Sequence, residues 1–308
     1  MVLSGDSGIV RASAGEALTV IRVPANYSRL QKVVGILQLI RVEKPLAAGI
    51  VTLAGVYLGA GMSSVFSSAA LRAALAIFLI DAFSFAFNDL ADAVGDRINK
   101  PYRPVPSGRV SPQLGFVVAV ALAIAGLAVA ATLGWLLASF AAALVVLSVW
   151  YSLRLKGSVL LGNAVIAFMV ASVLAYGSLV AGGITWQVLA ACVWAFLFLF
   201  SSEILHTIPD EEADRTAGKR TVAVRLGCKR AFRLFQLTVA LAGFTAVLPW
   251  LVGMASLAFL LAAMAFGLLP IAFTLGSTAS GSPQAVGRAT VLMKCIAFTG
   301  LVPILLLR

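Results

Sequence analysis

The chain has 308 residues, of which 61% are hydrophobic and only 11% are charged, and its mean hydropathy is +1.03. Soluble proteins carry about 25% charged residues, so this composition predicts a membrane protein. Its 23 Lys and Arg exceed its 12 Asp and Glu, but apolar stretches separate the charges, and no basic stripe for nucleic acid remains. One histidine and three scattered cysteines exclude a multi-histidine metal centre, a zinc site and a disulfide framework. A transporter, a channel or an intramembrane enzyme remains.

The first 41 residues differ from the rest of the chain. Residues 1–26 are mixed in polarity, rich in Ser and Gly, and lack the pattern of a signal peptide, so we predict a poorly ordered tail. Residues 27–41 place apolar side chains near helical spacing, which predicts an interfacial helix that leads into the first membrane span. Residues 27–308 are predicted to form a single domain.

Apolar stretches of about 20 residues predict helices that cross the bilayer, since lipid cannot satisfy a free backbone. Nine such stretches follow, near residues 44–63, 68–91, 112–133, 135–152, 159–181, 185–207, 230–252, 254–276 and 287–307. The predicted fold class is therefore an all-α membrane protein with nine transmembrane helices.

The basic residues predict the orientation of these helices. Lys and Arg accumulate in the connections after the second, fourth, sixth and eighth spans, and the alternate connections hold none. Because short cytoplasmic loops carry the excess of Lys and Arg, we predict a multi-pass protein of the cell membrane. Its amino terminus and charged loops face the cytoplasm, and its carboxyl terminus lies outside.

More than half of the acidic residues fall into two clusters, one at the end of the second span and one after the sixth. In NDLADAVGD, Asn88, Asp92 and Asp96 recur every four residues and lie within about 80° of arc on a helix. Asp210 and Asp214 repeat that spacing. Such hard oxygen donors attract Mg²⁺, and basic residues follow both clusters. Metal ions and fixed cations together stabilise the charge that develops on a diphosphate leaving group.

Both acidic segments resemble signatures of one family. NDLADAVGDRINKPYRPVPSGRVS resembles the first aspartate-rich signature of the UbiA superfamily of intramembrane prenyltransferases, and DEEADRTAGKRT resembles the second. The resemblance implies helices around a central cavity that opens into the bilayer. It also implies two Mg²⁺ ions that bridge the motifs to an isoprenyl diphosphate, and transfer of the prenyl chain to a lipophilic acceptor.

The resemblance also assigns roles to individual residues. It implies that the metal ligands are Asn88, Asp92, Asp96, Asp210 and Asp214. Asp89 matches the motif too, but it lies about 100° around the helix from Asn88. The residues implied to hold the diphosphate are Lys100, Arg103, Lys156 and Lys219. YSLRLK resembles another family segment, which implies that Tyr151 faces the allylic carbon. The alternative is an interfacial tyrosine beside an ordinary flanking lysine.

A polar residue within a membrane span is expected either to pair with another polar group or to take part in function. The candidates for the substrate pocket are Arg41, Asp81, Asn163, Glu203 and His206. Asp81 lies two turns deeper than Asn88 on the same face, where it either hydrogen-bonds inside the bundle or orients a ligand. Glu203 and His206 precede the second motif. There the chain reads SEILHTIPD, without the Arg and Lys of the related R-E-I-x-K-D-I-E-D segment.

Different segments of the chain resemble family members that use different acceptors. The RPVPSGRVS, YSLRLK and LGN segments are most similar to archaeal family members that attach a geranylgeranyl chain, from its diphosphate, to geranylgeranylglyceryl phosphate; chlorophyll synthases share much of this pattern. HTIPDEEAD is instead similar to carotenoid-elongating relatives. An anionic acceptor is favoured over an aromatic one by three surplus cations, Arg41, Arg154 and Lys156.

A transporter is the competing class of protein. Against it, both acidic clusters lie at one side of the membrane, and the sequence shows no repeated halves. No obligate protein partner is predicted.

Overall fold

The computed structural model describes residues 9–12, 19–22, 27–277 and 282–307. Two short strands, β1 (Ile9–Ala12) and β2 (Thr19–Arg22), pair antiparallel in the amino-terminal segment. From residue 27 onward, every regular element in the described part is helical, which confirms the predicted fold class. The prediction of a poorly ordered tail falls largely on residues that lie outside the described ranges.

The described part of the chain contains sixteen α-helices. In chain order they are α1 Arg29–Ile40, α2 Glu43–Ala60, α3 Met62–Val65, α4 Ser68–Ala91, α5 Ala93–Asn99, α6 Pro112–Ala131, α7 Trp135–Trp150, α8 Leu161–Val180, α9 Trp186–His206, α10 Glu211–Thr216, α11 Val222–Leu226, α12 Cys228–Leu251, α13 Leu257–Ala263, α14 Leu269–Ser277, α15 Pro283–Thr299 and α16 Leu301–Leu305. Two π-helical turns, Tyr151–Leu155 and Met264–Leu268, extend α7 and join α13 to α14.

Eight helical stretches in the described ranges are long and apolar enough to cross a membrane, and each coincides with a predicted span. They are Ser68–Ala91, Pro112–Ala131, Trp135–Leu155, Leu161–Val180, Trp186–His206, Cys228–Leu251, Leu257–Gly276 and Pro283–Leu305. The first predicted span is helical as α2, but α2 begins with Glu43 and Lys44 and is not one of the eight. The multi-pass architecture is confirmed, whereas the count of nine stays a prediction.

Helices α2 and α8 approach each other so closely that only glycine fits between them. A Cβ atom on Gly177 would lie 2.0 Å from the carbonyl oxygen of Thr52, and one on Gly55 would lie 2.1 Å from that of Leu174. Small residues of this kind let helix backbones pack together where lipid supplies no hydrophobic driving force. This contact fixes α2 against α8.

Helix α4 packs against α1, α2, α6, α7 and α8. Its buried Ala73, Ala76, Ile77 and Ile80 belong to a core cluster that includes Leu137 of α7. Helix α9 packs against α8 and α12 in the same way. The ends of α4 and α9, where the two acidic motifs begin, are therefore held by the body of the bundle.

Helix α1 begins with a capping box and ends in a tight turn. The Ser28 hydroxyl accepts from the Gln31 backbone N–H at 3.2 Å, and the Gln31 side chain accepts from the Ser28 N–H at 2.9 Å. Arg41, between α1 and α2, has a left-handed backbone with φ of 50°. Leu30 and Leu37 are exposed on α1, as expected of an interfacial helix.

Candidate active site

The first acidic motif lies where α4 ends and α5 begins. Backbone hydrogen bonds from Asp92 N to Asn88 O (3.0 Å) and from Asp96 N to Asp92 O (2.9 Å) carry the helical pattern across the junction. Asn88 and Asp92 bind the same lysine, but Asp96 pairs with an arginine that also binds Asp89. A separation of seven residues puts Asp89 and Asp96 only about 20° apart. Asn88, Asp92 and Asp96 therefore lie along one side of the helical junction, with Asp89 beside Asp96, and their assignment as metal ligands stays a prediction.

Asp89 is a buried anion that joins three parts of the chain. Its Oδ1 accepts from Arg41 Nη2 at 2.7 Å and from Arg103 Nη1 at 3.2 Å, and its side chain is only 3% exposed. Arg103 Nη1 also donates to Asp96 Oδ2 at 2.5 Å. The Arg41 guanidinium lies 5.0 Å from the centre of the Phe85 ring. Two candidates for binding substrate, Arg41 and Arg103, are thus engaged with carboxylates of the first motif.

Lys156 occupies the other pair of the first motif. Its Nζ donates to Asn88 Oδ1 at 3.0 Å and forms an ion pair with Asp92, while Asn88 Nδ2 donates to Asp92 Oδ2 at 3.3 Å. The π-helical turn Tyr151–Leu155 immediately precedes Lys156. Tyr151, at the start of this turn, interacts electrostatically with Glu203, Asp92 and Asp214. Tyr151 is therefore influenced by the charges of Asp92 in the first motif and Asp214 in the second.

The second acidic motif forms the short helix α10 after the end of α9. Asp214 is buried, and its Oδ1 accepts from Lys219 Nζ at 3.1 Å. The backbone N–H of Lys219 also donates to the Asp214 carbonyl at 2.9 Å, which holds the loop against the helix. Asp210, at the start of α10, is exposed. Glu211 forms an ion pair with Arg215 and raises the pKa of that guanidinium by its hydrogen bond and its charge.

A cavity of about 610 Å³ lies beside both motifs. Its walls come from three segments: the end of α4, the turn that follows α7, and the loop from α10 to α11. The charged residues that line it are Asp92, Arg154, Lys156, Lys219, Arg220 and Arg225. Five cations face one carboxylate, so the cavity favours an anionic ligand.

The donor atoms of the motifs fit a hard divalent cation. Carboxylate and amide oxygens are what Mg²⁺ prefers, and the Lys156 ammonium, bound by Asn88 and Asp92, marks a position where these oxygens already converge on positive charge. Across the described ranges, no group of three Asp, Glu, His or Cys residues lies close enough to hold an ion by itself. An Mg²⁺ ion bound here needs further oxygens, which water and a substrate phosphate ordinarily supply.

The remaining predicted site residues lie at several depths. Lys100 is half-buried where α5 ends. Asp81 on α4 interacts electrostatically with Lys44 of α2, and Asn163 is buried on α8. Glu203 and His206 form a partly exposed pair near the end of α9, with 3.6 Å between Oε1 and Nδ1. None of these five residues lines the 610 Å³ cavity.

Several residues of the cavity wall were not predicted from the sequence, among them the polar residues Ser152, Ser158, Arg220 and Arg225. In the sequence the two arginines are indistinguishable from the other loop cations that indicate membrane orientation. The contact that brings them here joins distant segments, since Arg220 N donates to the Gly157 carbonyl at 2.8 Å. Only that tertiary contact separates cavity cations from other basic loop residues.

The fold and the site define a polytopic helical membrane protein with a carboxylate-bearing, cation-lined cavity at one end of the bundle. The chain belongs to the UbiA prenyltransferase family, whose sequence profile matches residues 48–298. The resemblance drawn from the two aspartate-rich motifs is thereby confirmed.

The chain is similar to archaeal proteins of that family. It is 32% identical over 225 residues to digeranylgeranylglyceryl phosphate synthase of Natronomonas pharaonis, covering 73% of this chain and 80% of that protein. It is 36% identical over 221 residues to the enzyme of the same name from Halobacterium salinarum, covering 71% and 79%.

Solved structures share the fold. One that concerns digeranylgeranylglyceryl phosphate synthase in membranes has a TM-score of 0.72 at 22% identity and covers 89% of this chain and 98% of that one. A UbiA homologue from Archaeoglobus fulgidus, bound to GPP and Mg²⁺, has a TM-score of 0.65 at 20% identity and covers 88% and 99%. Further structures of that homologue hold DMAPP with Mg²⁺, or Cd²⁺.

Proposed function

We propose that this protein transfers a geranylgeranyl group from geranylgeranyl diphosphate to geranylgeranylglyceryl phosphate in a reaction that depends on Mg²⁺. The observation that carries the proposal is the 610 Å³ cavity, in which five cations from separate segments face the Asp92 carboxylate of the first motif. The archaeal relatives that bear the name digeranylgeranylglyceryl phosphate synthase support this donor and acceptor.

The oxygen donors of the two motifs are proposed to hold the metal, and they are Asn88, Asp92, Asp96, Asp210 and Asp214. When bound, Mg²⁺ neutralises negative charge on the diphosphate. Lys156 and Lys219 line the cavity while they contact Asp92 and Asp214, and both ammonium groups are proposed to bind oxygens of the diphosphate. Lys100 and Arg103 are proposed to add positive charge beside them.

The proposed reaction begins with cleavage of the bond between the allylic carbon and the diphosphate oxygen. The bonding electrons leave with the diphosphate, where fixed cations stabilise them more in the transition state than in the ground state. The Tyr151 ring is proposed to stabilise the positive charge on the allylic carbon. The acceptor hydroxyl then forms the ether bond with that carbon and releases its proton. Because the carbon is strongly electrophilic, holding the hydroxyl close replaces strong base catalysis.

The other predicted residues are proposed to shape the acceptor pocket. Glu203 and His206 lie near the end of α9 just before the second motif, and Asp81 and Asn163 lie within α4 and α8. Arg41 remains a candidate for binding the acceptor through the part of its guanidinium that Asp89 leaves free, since its side chain is 29% exposed.

We propose further that residues 27–308 form one domain in the cell membrane, with the motif end of the bundle in the cytoplasm. The basic connections 100–111, 154–159 and 217–225 lie at one end: Lys156 pairs with Asp92, and Arg220 N donates to Gly157. The Tyr27 hydroxyl donates to the Ser107 carbonyl at 2.9 Å, which brings residue 27 to the same end. A concentration of Lys and Arg at one end is typical of the cytoplasmic side.

The test is a prenyl-transfer assay with purified protein, labelled geranylgeranyl diphosphate and a panel of acceptors. We expect Mg²⁺-dependent formation of the digeranylgeranyl ether and release of diphosphate, both abolished by EDTA and restored by Mg²⁺. Efficient prenylation of a carotenoid, a chlorophyll precursor or hydroxybenzoate, with geranylgeranylglyceryl phosphate inert, would refute the acceptor. Uptake of a solute into vesicles without diphosphate release would favour a transporter.

A further inference from the structure

Three arginines contribute to the cavity wall. Arg154 lies on the π-helical turn after α7, Arg220 on the loop before α11, and Arg225 near the end of α11, and all three side chains line the 610 Å³ cavity. We call these three residues the arginine wall. All three residues are exposed.

The arginine wall lacks the carboxylate partners that other cations of this region have. Lys156 is paired with Asp92, Lys219 with Asp214, and Arg215 with Glu211. Within the described ranges, no ion pair joins an arginine of the wall to an Asp or Glu. Three like charges at one cavity mouth repel one another unless an anion compensates them.

Backbone contacts fix the elements that carry the wall. The Arg220 N–H donates to the Gly157 carbonyl at 2.8 Å, two residues after the π-helical turn. The Arg225 N–H donates to the Thr221 carbonyl at 3.0 Å within α11. The segments that carry Arg154 and Arg220 are therefore joined by a backbone hydrogen bond, and Arg225 follows on the adjoining helix α11; such pre-organisation lowers the entropic cost of binding a ligand.

We propose that the arginine wall binds a second anion, the phosphate monoester of the lipid acceptor, while the diphosphate of the donor is held by the motifs with Lys156 and Lys219. This inference rests on the proposed function and assigns a binding site to its acceptor. Guanidinium groups match phosphate oxygens with paired hydrogen bonds. A cavity of this volume is in the range of complete ligand sites of about 300–1,000 Å³, so it has room for two head groups.

The proposed site also predicts selectivity between acceptors. Three guanidiniums stay unpaired when an apolar carotenoid or a neutral aromatic ring occupies the acceptor position, whereas a phosphate dianion compensates them. Arg41 is less suited to this task because the buried Asp89 already accepts from it at 2.7 Å. An uncharged acceptor leaves the three arginines without an anionic partner, and this unfavourable state discriminates against such acceptors.

The test compares Arg154→Gln, Arg220→Gln and Arg225→Gln with Arg230→Gln, an equally exposed arginine that does not line the cavity. Loss of one charge-assisted hydrogen-bonding group is expected to raise the KM of geranylgeranylglyceryl phosphate about tenfold to a hundredfold. The KM of the donor should change less than about threefold, and Arg230→Gln should match the unmodified protein. Geranylgeranylglycerol, which lacks the phosphate, should be a poor acceptor for the unmodified protein and lose no further efficiency in the wall variants. An equal rise in both KM values would assign the wall to the donor diphosphate and overturn the inference.

A binding measurement separates this inference from the proposed function. Affinity for geranylgeranylglyceryl phosphate is measured in the absence of donor, with geranylgeranylglycerol and inorganic phosphate as competitors. If the unmodified protein binds the lipid phosphate and the wall variants do not, the site stands even when no transfer occurs, and only the proposed reaction fails. Inorganic phosphate that competes as well as the lipid would overturn the lipid as the source of the anion. Transfer at normal KM in all three variants would overturn the site and leave the reaction in place.

Discussion

The substitution Asp89→Asn is expected to affect the free energy of unfolding more than the rate of turnover. Asparagine has the same shape and keeps one acceptor oxygen, but it removes the charge that pairs with Arg41 and Arg103. Breaking a buried ion pair from one side costs about 3–5 kcal/mol when the remaining charge is fully buried. Here Arg41 and Arg103 are 29% and 17% exposed, and Arg103 keeps Asp96, so we expect a loss of about 2–3 kcal/mol, below that range.

The assay is thermal unfolding in detergent together with turnover of the same samples. At about 2–4 °C for each kcal/mol, the Tm of Asp89→Asn should fall by roughly 4–12 °C. Asp92→Asn is the matched control, because Asp92 is 22% exposed and lines the cavity. It should lower turnover at least about a hundredfold with little change in Tm. If Asp89→Asn keeps the normal Tm and loses turnover as Asp92→Asn does, Asp89 contacts metal or substrate and the ion-pair argument is wrong.

Three further predictions concern the second motif, the orientation and the helix contact. Asp214→Asn should lower turnover at least about a hundredfold at ordinary Mg²⁺ concentration; near-normal turnover would dismiss Asp214 as a metal ligand. In a background without native cysteines, Pro106→Cys and Ala217→Cys should react with an impermeant thiol reagent only from the cytoplasmic side, and labelling from outside would refute the orientation. Gly177→Ala should reduce the yield of folded protein and its Tm, because its Cβ would lie 2.0 Å from a backbone oxygen; overpacking costs about 1–3 kcal/mol or more. Gly287→Ala, where a Cβ meets nothing within 4 Å, is its control.

The composition and the spacing of residues were sufficient to predict a helical membrane protein with several spans. Eight predicted spans coincide with helices of the structure. This agreement is expected because each segment in lipid must form its own backbone hydrogen bonds, whatever its neighbours are. The two acidic motifs were recognisable for the same reason, since their residues are close in sequence. The boundaries of the first span were harder to judge, because α2 begins with charged Glu43 and Lys44.

The pairing of charges could not be read from the sequence. Helical geometry places Asp96 near both Asn88 and Asp89, and only the structure shows that Arg103 binds Asp89 and Asp96 together. Arg41 was expected in the acceptor pocket, yet it also meets Asp89, 48 residues away in the chain. Such contacts depend on how helices pack, which no local spacing specifies.

The sequence by itself determined the membrane class, the helical segments, the family and the two motifs, since each depends on residues within a turn or two of one another. Only the tertiary structure decided which cations form ion pairs with the carboxylates of the motifs and which, among the described residues, do not. Arg220 enters the cavity wall because its backbone N–H meets Gly157, and Lys156 reaches Asp92 across 64 residues of chain. The physical reason is that ion pairing depends on distance in space, and distances between loops are set by the packed bundle that connects them.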